Sequence, residues 1–112
     1  MANLHEADLG GAILSEANLN GADLSDADLR GAKLYDTYLK GATLTRTNLR
    51  GAILTRAILS EANLISATLT SATLTGVNLR RANLSGATVT PKQLAQAKSR
   101  KGATMPDGTV HP

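Results

Sequence analysis

From Ala2 to Val89 a leucine falls on every fifth residue without a break. The series runs from Leu4, Leu9 and Leu14 through Leu79 and Leu84, seventeen leucines in register, and Val89 makes an eighteenth step. Two residues before each stands a small side chain, alanine fifteen times, with Thr37, Thr47 and Val77 the exceptions. Asparagine or aspartate often separates the two, as in Ala7-Asp8-Leu9, Ala17-Asn18-Leu19 and Ala82-Asn83-Leu84. A repeat of fixed period constrains the fold more than any other signal, because each unit must bury its apolar face against its neighbours.

A step of five residues fits neither common element. On an α-helix each step turns by about 140°, which scatters the leucines around the whole circumference. On a straight strand, successive leucine–alanine pairs would point to opposite faces. Both conflicts vanish if the chain bends at the end of every pentapeptide, so that each pair points at one common axis. Roughly right-angled corners then close a coil after four pentapeptides, or twenty residues. Glycine stands at the corner position at Gly11, Gly21, Gly31, Gly41 and Gly51, where a positive φ carries no Cβ penalty. That spacing of ten divides a twenty-residue coil and not a fifteen-residue one, although Gly76 and Gly86 fall in the other phase.

The tandem motif Ala-(Asp/Asn)-Leu-x-x resembles the pentapeptide-repeat proteins over about four-fifths of the chain. That resemblance implies an all-β solenoid: a right-handed quadrilateral β-helix with the leucine and the preceding small residue pointing inward. On this reading residues 1–90 form about four and a half coils, and residues 91–112 form a separate C-terminal cap and tail.

Composition agrees with a narrow interior. The 112 residues suffice for one domain, yet contain no Phe, no Trp and only two Tyr, so the core must be built from stacked leucine and alanine. At roughly 4.8 Å between coils the rod should be about 22 Å tall. With no cysteine there is no disulfide and no thiolate site, and no cofactor is expected. No apolar run approaches the ~18 residues of a membrane span, and no signal peptide is apparent. A cytoplasmic location is the expectation, and the chain equally fits one domain of a longer protein. Asn83-Leu84-Ser85 spells a glycosylation triplet, but the repeat itself generates that spelling.

The two ends read differently. The first coil begins with no residues to spare for a cap, and its exposed edge is a pairing liability. A monomer or a weak homodimer through the N-terminal coil is therefore expected. At the other end Thr90-Pro91 is a helix start, with threonine as N-cap and proline at the first position. The segment from Lys92 to about Lys101 reads as a short α-helix, with Lys98, Arg100 and Lys101 suited to its C-terminal dipole and Gly102 as its stop. Leu94, Ala95 and Ala97 would close the core. Gly102-Ala103-Thr104-Met105 echoes Gly41-Ala42-Thr43-Leu44, and Pro106-Asp107-Gly108 makes a turn. This ending resembles C-terminal caps of cyanobacterial members of the family.

No feature supports catalysis. His5 and His111 lie at opposite ends of the sequence, the carboxylates crowd into the first two coils, and no phosphate-binding glycine motif occurs. Charge is polarised: residues 1–28 hold six acids and no base, whereas Arg80 to Lys101 hold six bases and no acid. Arg30 and Arg50 occupy equivalent positions one coil apart and suit phosphate contacts, but no aromatic stacking platform accompanies them. The resemblance also raises DNA mimicry, since some pentapeptide-repeat proteins protect DNA gyrase as duplex-like acidic rods. A net charge of +3 with acids gathered at one end suits that role poorly. A further candidate is a cluster of outward apolar residues, Tyr35, Tyr38, Ile53 and Ile58, which four-sided counting gathers near one corner of the second and third coils. The function expected is a non-catalytic protein-interaction or structural scaffold module with an unidentified protein partner. A DNA-mimic or nucleic-acid-related binder, such as a gyrase-protecting protein, is the alternative.

Overall fold

In the structure, a computed structural model describing Met1–Pro112, each pentapeptide makes one turn and one bridge. The turn begins at the leucine, whose carbonyl accepts from the N–H three residues on: Ala7 to Leu4 at 3.0 Å, Ala57 to Leu54 at 2.8 Å. The third residue of every turn from Glu6 to Gly86 has a positive φ, the signature of a type II β-turn. Glycine supplies that residue in seven of these turns, whereas Glu, Asp, Arg or Ser supplies it in the other ten, with φ between 56° and 65°. Glycine therefore marks fewer than half of the corners. The rest place an L-residue in the left-handed region at about 1–2 kcal/mol each, which the ladder hydrogen bonds on both sides hold in place.

Between turns, four ladders of parallel bridges step twenty residues at a time. The first face carries Asn3, Asp23, Thr43, Asn63 and Asn83, and the second Asp8, Asp28, Asn48, Thr68 and Thr88. The third carries Ile13, Lys33, Ile53 and Thr73, and the fourth Asn18, Tyr38, Ile58 and Asn78. A corner follows each bridge too soon for a strand to extend, so the faces are stacks of isolated bridges and the expected strands do not form as a regular sheet. The molecule measures 33 × 21 × 20 Å. Its long axis exceeds the height expected for the repeat alone because residues 91–112 add to the end.

The leucines from Leu24 to Leu69, with Leu79 and Leu84, are buried to 1% exposure or less, and the alanines between them line the same axis. Thr37 and Thr47 stand at inward alanine positions and are fully buried. Each hydroxyl donates to a leucine carbonyl of the preceding coil, Leu14 at 2.9 Å and Leu24 at 2.7 Å, so neither pays the cost of an orphaned polar group. Leu4, Leu9 and Leu14 are only partly buried, since no coil lies over them in this structure.

The C-terminal segment departs from the expected helix. Helix α1 spans only Pro91–Ala95, opened by a capping box in which Thr90 and Gln93 satisfy each other's backbone N–H groups. Leu94, still in five-residue register with Val89, is buried and joins the core, while Ala97 packs against it and Ala95 is exposed. The Gln93 side chain donates to the carbonyls of Leu69 (2.7 Å) and Ala72 (2.9 Å). Ala72 would otherwise have received a ladder bond from a backbone N–H, so the side chain replaces the bond that the helix removes.

After α1 the chain does not continue helically to Lys101. It returns to the solenoid edge, where Leu79, Arg81, Leu84 and Gly86 each donate a backbone N–H to Ser99, Lys101, Thr104 and Pro106. Two further helical turns would have left those donors unpaired. Gly102 is accordingly a corner residue with φ of 73° and not a helix stop. Bridges now join Asn78 to Ser99 and Asn83 to Thr104, a step of twenty-one, so α1 has inserted one extra residue into the register.

Candidate interaction surface

The outward residue before each leucine is free of the core, and its chemistry varies along each face. Where it is asparagine or aspartate, its Oδ1 accepts the N–H two residues on, the one backbone donor in each pentapeptide that the ladder and turn leave unused. Asp23 caps Ser25 in this way at 3.0 Å, as do Asn63 with Ile65, Asn83 with Ser85 and Asn48 with Arg50 at 3.0, 3.0 and 3.1 Å. This accounts for the frequent Asp/Asn of the motif.

In the middle coils of the third and fourth faces that service is absent. Lys33 and Ile53 stack on one, Tyr38 and Ile58 on the other, as the sequence predicted. Tyr35 lies at the turn between these faces, since it is the second residue of the turn from Leu34 to Thr37. Tyr35 is 37% and Tyr38 45% exposed, while Ile53 and Ile58 are half-buried. Ile13, 75% exposed, heads the third-face ladder with Lys33 between it and Ile53, and was not among the four residues picked out from the sequence. An apolar residue at the outward position before the leucine was the signal that identified it.

The border of this region is charged and paired. Asp36 follows Tyr35 at the corner and takes two hydrogen bonds from Arg56 one coil on, at 2.9 and 3.0 Å, which hold its carboxyl below the usual range. Asp26 and Arg46 repeat the arrangement at another corner, at 2.8 and 2.9 Å. Lys40 approaches Glu61 at 3.7 Å.

The two arginines picked out for phosphate contacts are not equivalent. Arg30 chelates Asp28 through Nε (2.9 Å) and NH2 (2.7 Å), and these bonds, with the Arg30 backbone N–H, lower the Asp28 pKa to about 2. Its charge is thus engaged. Arg50, one coil on, has no ion pair. His5 bonds to Ser25 and Glu6, both at 2.9 Å, and no group of three or more His, Cys, Asp or Glu residues is arranged to hold a metal.

Stacked four-sided coils around a leucine axis, with outward residues free to vary, define a β-helix solenoid of the repeat class. Residues 2–41, 32–70 and 62–90 match the family described as pentapeptide repeats, and the chain belongs to that family. Among solved structures it is similar to a pentapeptide-repeat protein of the Arabidopsis thaliana thylakoid lumen, at 33% identity and a TM-score of 0.73, covering 88% of this chain and 68% of that one. It is also similar to a pentapeptide-repeat protein of the cyanobacterium Nostoc PCC 7120, at 32% identity and a TM-score of 0.64, covering 85% and 82%. QnrB1, a plasmid-mediated fluoroquinolone resistance protein, shares the fold at 19% identity and a TM-score of 0.61, with 88% of this chain and 55% of QnrB1 covered. No curated protein gives a significant sequence match. The solenoids of this family are right-handed. No helix is long and apolar enough to cross a membrane.

Proposed function

We propose that this protein is a non-catalytic interaction or scaffold module that offers the corner of Tyr35, Tyr38, Ile53 and Ile58 to a protein partner. The observation that carries the reading is the exposure of Tyr35 and Tyr38 at the middle of the third and fourth faces, where Lys33, Tyr38, Ile53 and Ile58 do not cap the backbone. Tyrosine supplies a large contact area at low conformational cost and is enriched where proteins meet. The rod beneath is held by ladder bonds at every pentapeptide, so the surface is preorganised. A cytoplasmic location, a monomeric or weakly dimeric state and closure of the core by α1 belong to the same proposal.

Quantitative interactor capture tests it with three baits: the parent chain, Tyr35→Ser/Tyr38→Ser, and Arg50→Ser on another face. At least one protein should be enriched by the parent and the arginine variant and lost from the tyrosine variant. Identical interactor sets from all three would overturn the assignment of the surface. The rival reading, a duplex mimic or nucleic-acid binder, is less well supported. Six of the nine acids precede residue 29, so the rod is not acidic along its length, and Arg30 is already engaged by Asp28. Gyrase supercoiling and low-salt duplex-binding assays should both be negative.

A further inference from the structure

The one-residue slip introduced by α1 moves an arginine into a leucine's place. Through Leu69 each leucine N–H donates to the carbonyl of the residue preceding the next inward position of its ladder, as Leu59 does to Asn78. Leu79 donates in the same way to Ser99, so the residue in the inward leucine position is Arg100. The turn agrees: Ala103 donates to the Arg100 carbonyl at 2.9 Å, Gly102 holds the positive-φ corner, and Ala103 is fully buried in the inward alanine position.

Arg100 lines a cavity of about 340 Å³ at this end of the rod. Val89, Leu94 and Met105 supply apolar walls, and Pro91 and Pro106 stand beside them. Arg30, Arg46 and Arg56 are each tied to an aspartate. Arg100 has no ion pair, although Asp107 lines the same cavity. Asp107 is occupied by its own turn, its Oδ1 accepting from the Thr109 hydroxyl at 2.6 Å and the Thr109 N–H at 3.0 Å. The cavity thus joins apolar walls to one uncommitted guanidinium, in a volume near the lower end of the roughly 300–1,000 Å³ of small-molecule sites.

We propose that this cavity binds a small organic monocarboxylate, with its apolar chain against Val89, Leu94 and Met105 and its carboxylate on the Arg100 guanidinium. The planar guanidinium fork matches two carboxylate oxygens, and an ion pair beside apolar walls is less screened than one in open solvent. Asp107 in the same lining disfavours a doubly charged anion, which selects carboxylate over phosphate.

Titration of the isotope-labelled full chain by amide NMR with octanoate, octanamide and inorganic phosphate tests this. Octanoate should give saturable shifts centred on Leu94, Arg100, Ala103 and Met105, while octanamide and phosphate bind at least tenfold more weakly. Arg100→Met, which restores an apolar side chain to the leucine position, should keep the melting temperature and lose at least tenfold in octanoate affinity. Arg100→Lys, which keeps the charge without the fork, should lose severalfold and serves if the methionine variant does not fold. Asp107→Asn should bind octanoate at least as tightly as the parent. Equal affinity for octanoate and octanamide overturns the proposal, as does undiminished octanoate affinity in both Arg100 variants. Shifts confined to another surface, or none that saturate, overturn it too.

Discussion

The first and second faces of the solenoid differ from the middle coils of the third and fourth in which residues stand before each leucine. On the first two, Asp23, Asn63, Asn83, Asp28 and Asn48 turn that residue back onto the chain to satisfy the corner N–H. In the middle coils of the third and fourth, Lys33, Ile53, Tyr38 and Ile58 cannot do so, and the N–H groups of Tyr35, Thr55 and Ser60 have no protein partner; Lys40 is rescued by Asn20 from the preceding coil at 2.8 Å, and Asn18 and Asn78 at the ends of the fourth face still cap Asn20 and Arg80. The interior does not register the change, for Leu34, Leu39, Leu54 and Leu59 are as buried as Leu24 and Leu44. Core and surface are therefore separable in this fold. The turn and ladder bonds build the rod, and the outward position is either a backbone cap or free for another purpose.

The largest effect that tests this separation is in the core. Leu44→Ala on the first face and Leu54→Ala on the third should each cost about 2–5 kcal/mol, because both leave an unfilled layer of the same kind. Urea denaturation of the pair checks it; a third-face leucine that costs under about 1 kcal/mol would mean the faces differ inside as well as outside. The outward Thr45→Ala should stay within about 0.5 kcal/mol.

Next comes the side chain that stands in for a ladder bond. Gln93→Ala removes both bonds to Leu69 and Ala72 together with the side-chain half of the capping box, and should cost about 1–3 kcal/mol by leaving the Ala72 carbonyl and the Thr90 N–H unpaired. Gln93→Glu is the sharper control, since it keeps the acceptor of the capping box and loses the donor. Melting curves showing no loss in either variant would mean that α1 contributes little to closing the end.

Smaller, and of opposite sign on the two kinds of face, are exchanges at the outward position. Asn63→Ala on the first face should cost about 1 kcal/mol by freeing the Ile65 N–H. Ile58→Asn on the fourth face introduces a cap for Ser60, and should be neutral or stabilising by about 0.5 kcal/mol. If Ile58→Asn instead destabilises by as much as Asn63→Ala, the apolar ladder supports its own face and is not free for a partner.

The smallest effect separates capping from charge. The Asp28 pKa is depressed to about 2 from an ordinary 3.8, first by the side-chain bond to Arg30 and then by the backbone bond. Its carboxylate therefore contributes stability above about pH 4 that is lost as the pH falls towards 2. Asp28→Asn keeps the Asx cap and removes the titration, so its denaturation midpoint should fall less steeply than the parent's across that window. Parallel pH profiles would show that the Asp28–Arg30 pair contributes nothing measurable, as many exposed pairs do.

A period of five with a small residue two before each leucine left no helix or strand consistent with itself, and four corners per coil placed each ladder correctly. Tyr38 above Ile58, and Lys33 between Ile13 and Ile53, were therefore legible from counting alone. The corners were half legible. Glycine announced its own turns, but Glu6, Asp26, Arg46 and Ser66 adopt the same positive φ because ladder bonds on both sides impose it, a constraint that no single residue advertises. The engagement of Arg30 by Asp28 was equally hidden, since it depends on rotamers and not on spacing. At the C-terminus, Thr90-Pro91 fixed where α1 begins, because capping chemistry is local. Where it ends was decided by the solenoid edge, whose unpaired N–H groups on Leu79, Arg81, Leu84 and Gly86 drew the chain back after Ala95. Those donors are distant in sequence, and only the assembled coils bring them within reach; with them came the slip that turned Arg100 inward.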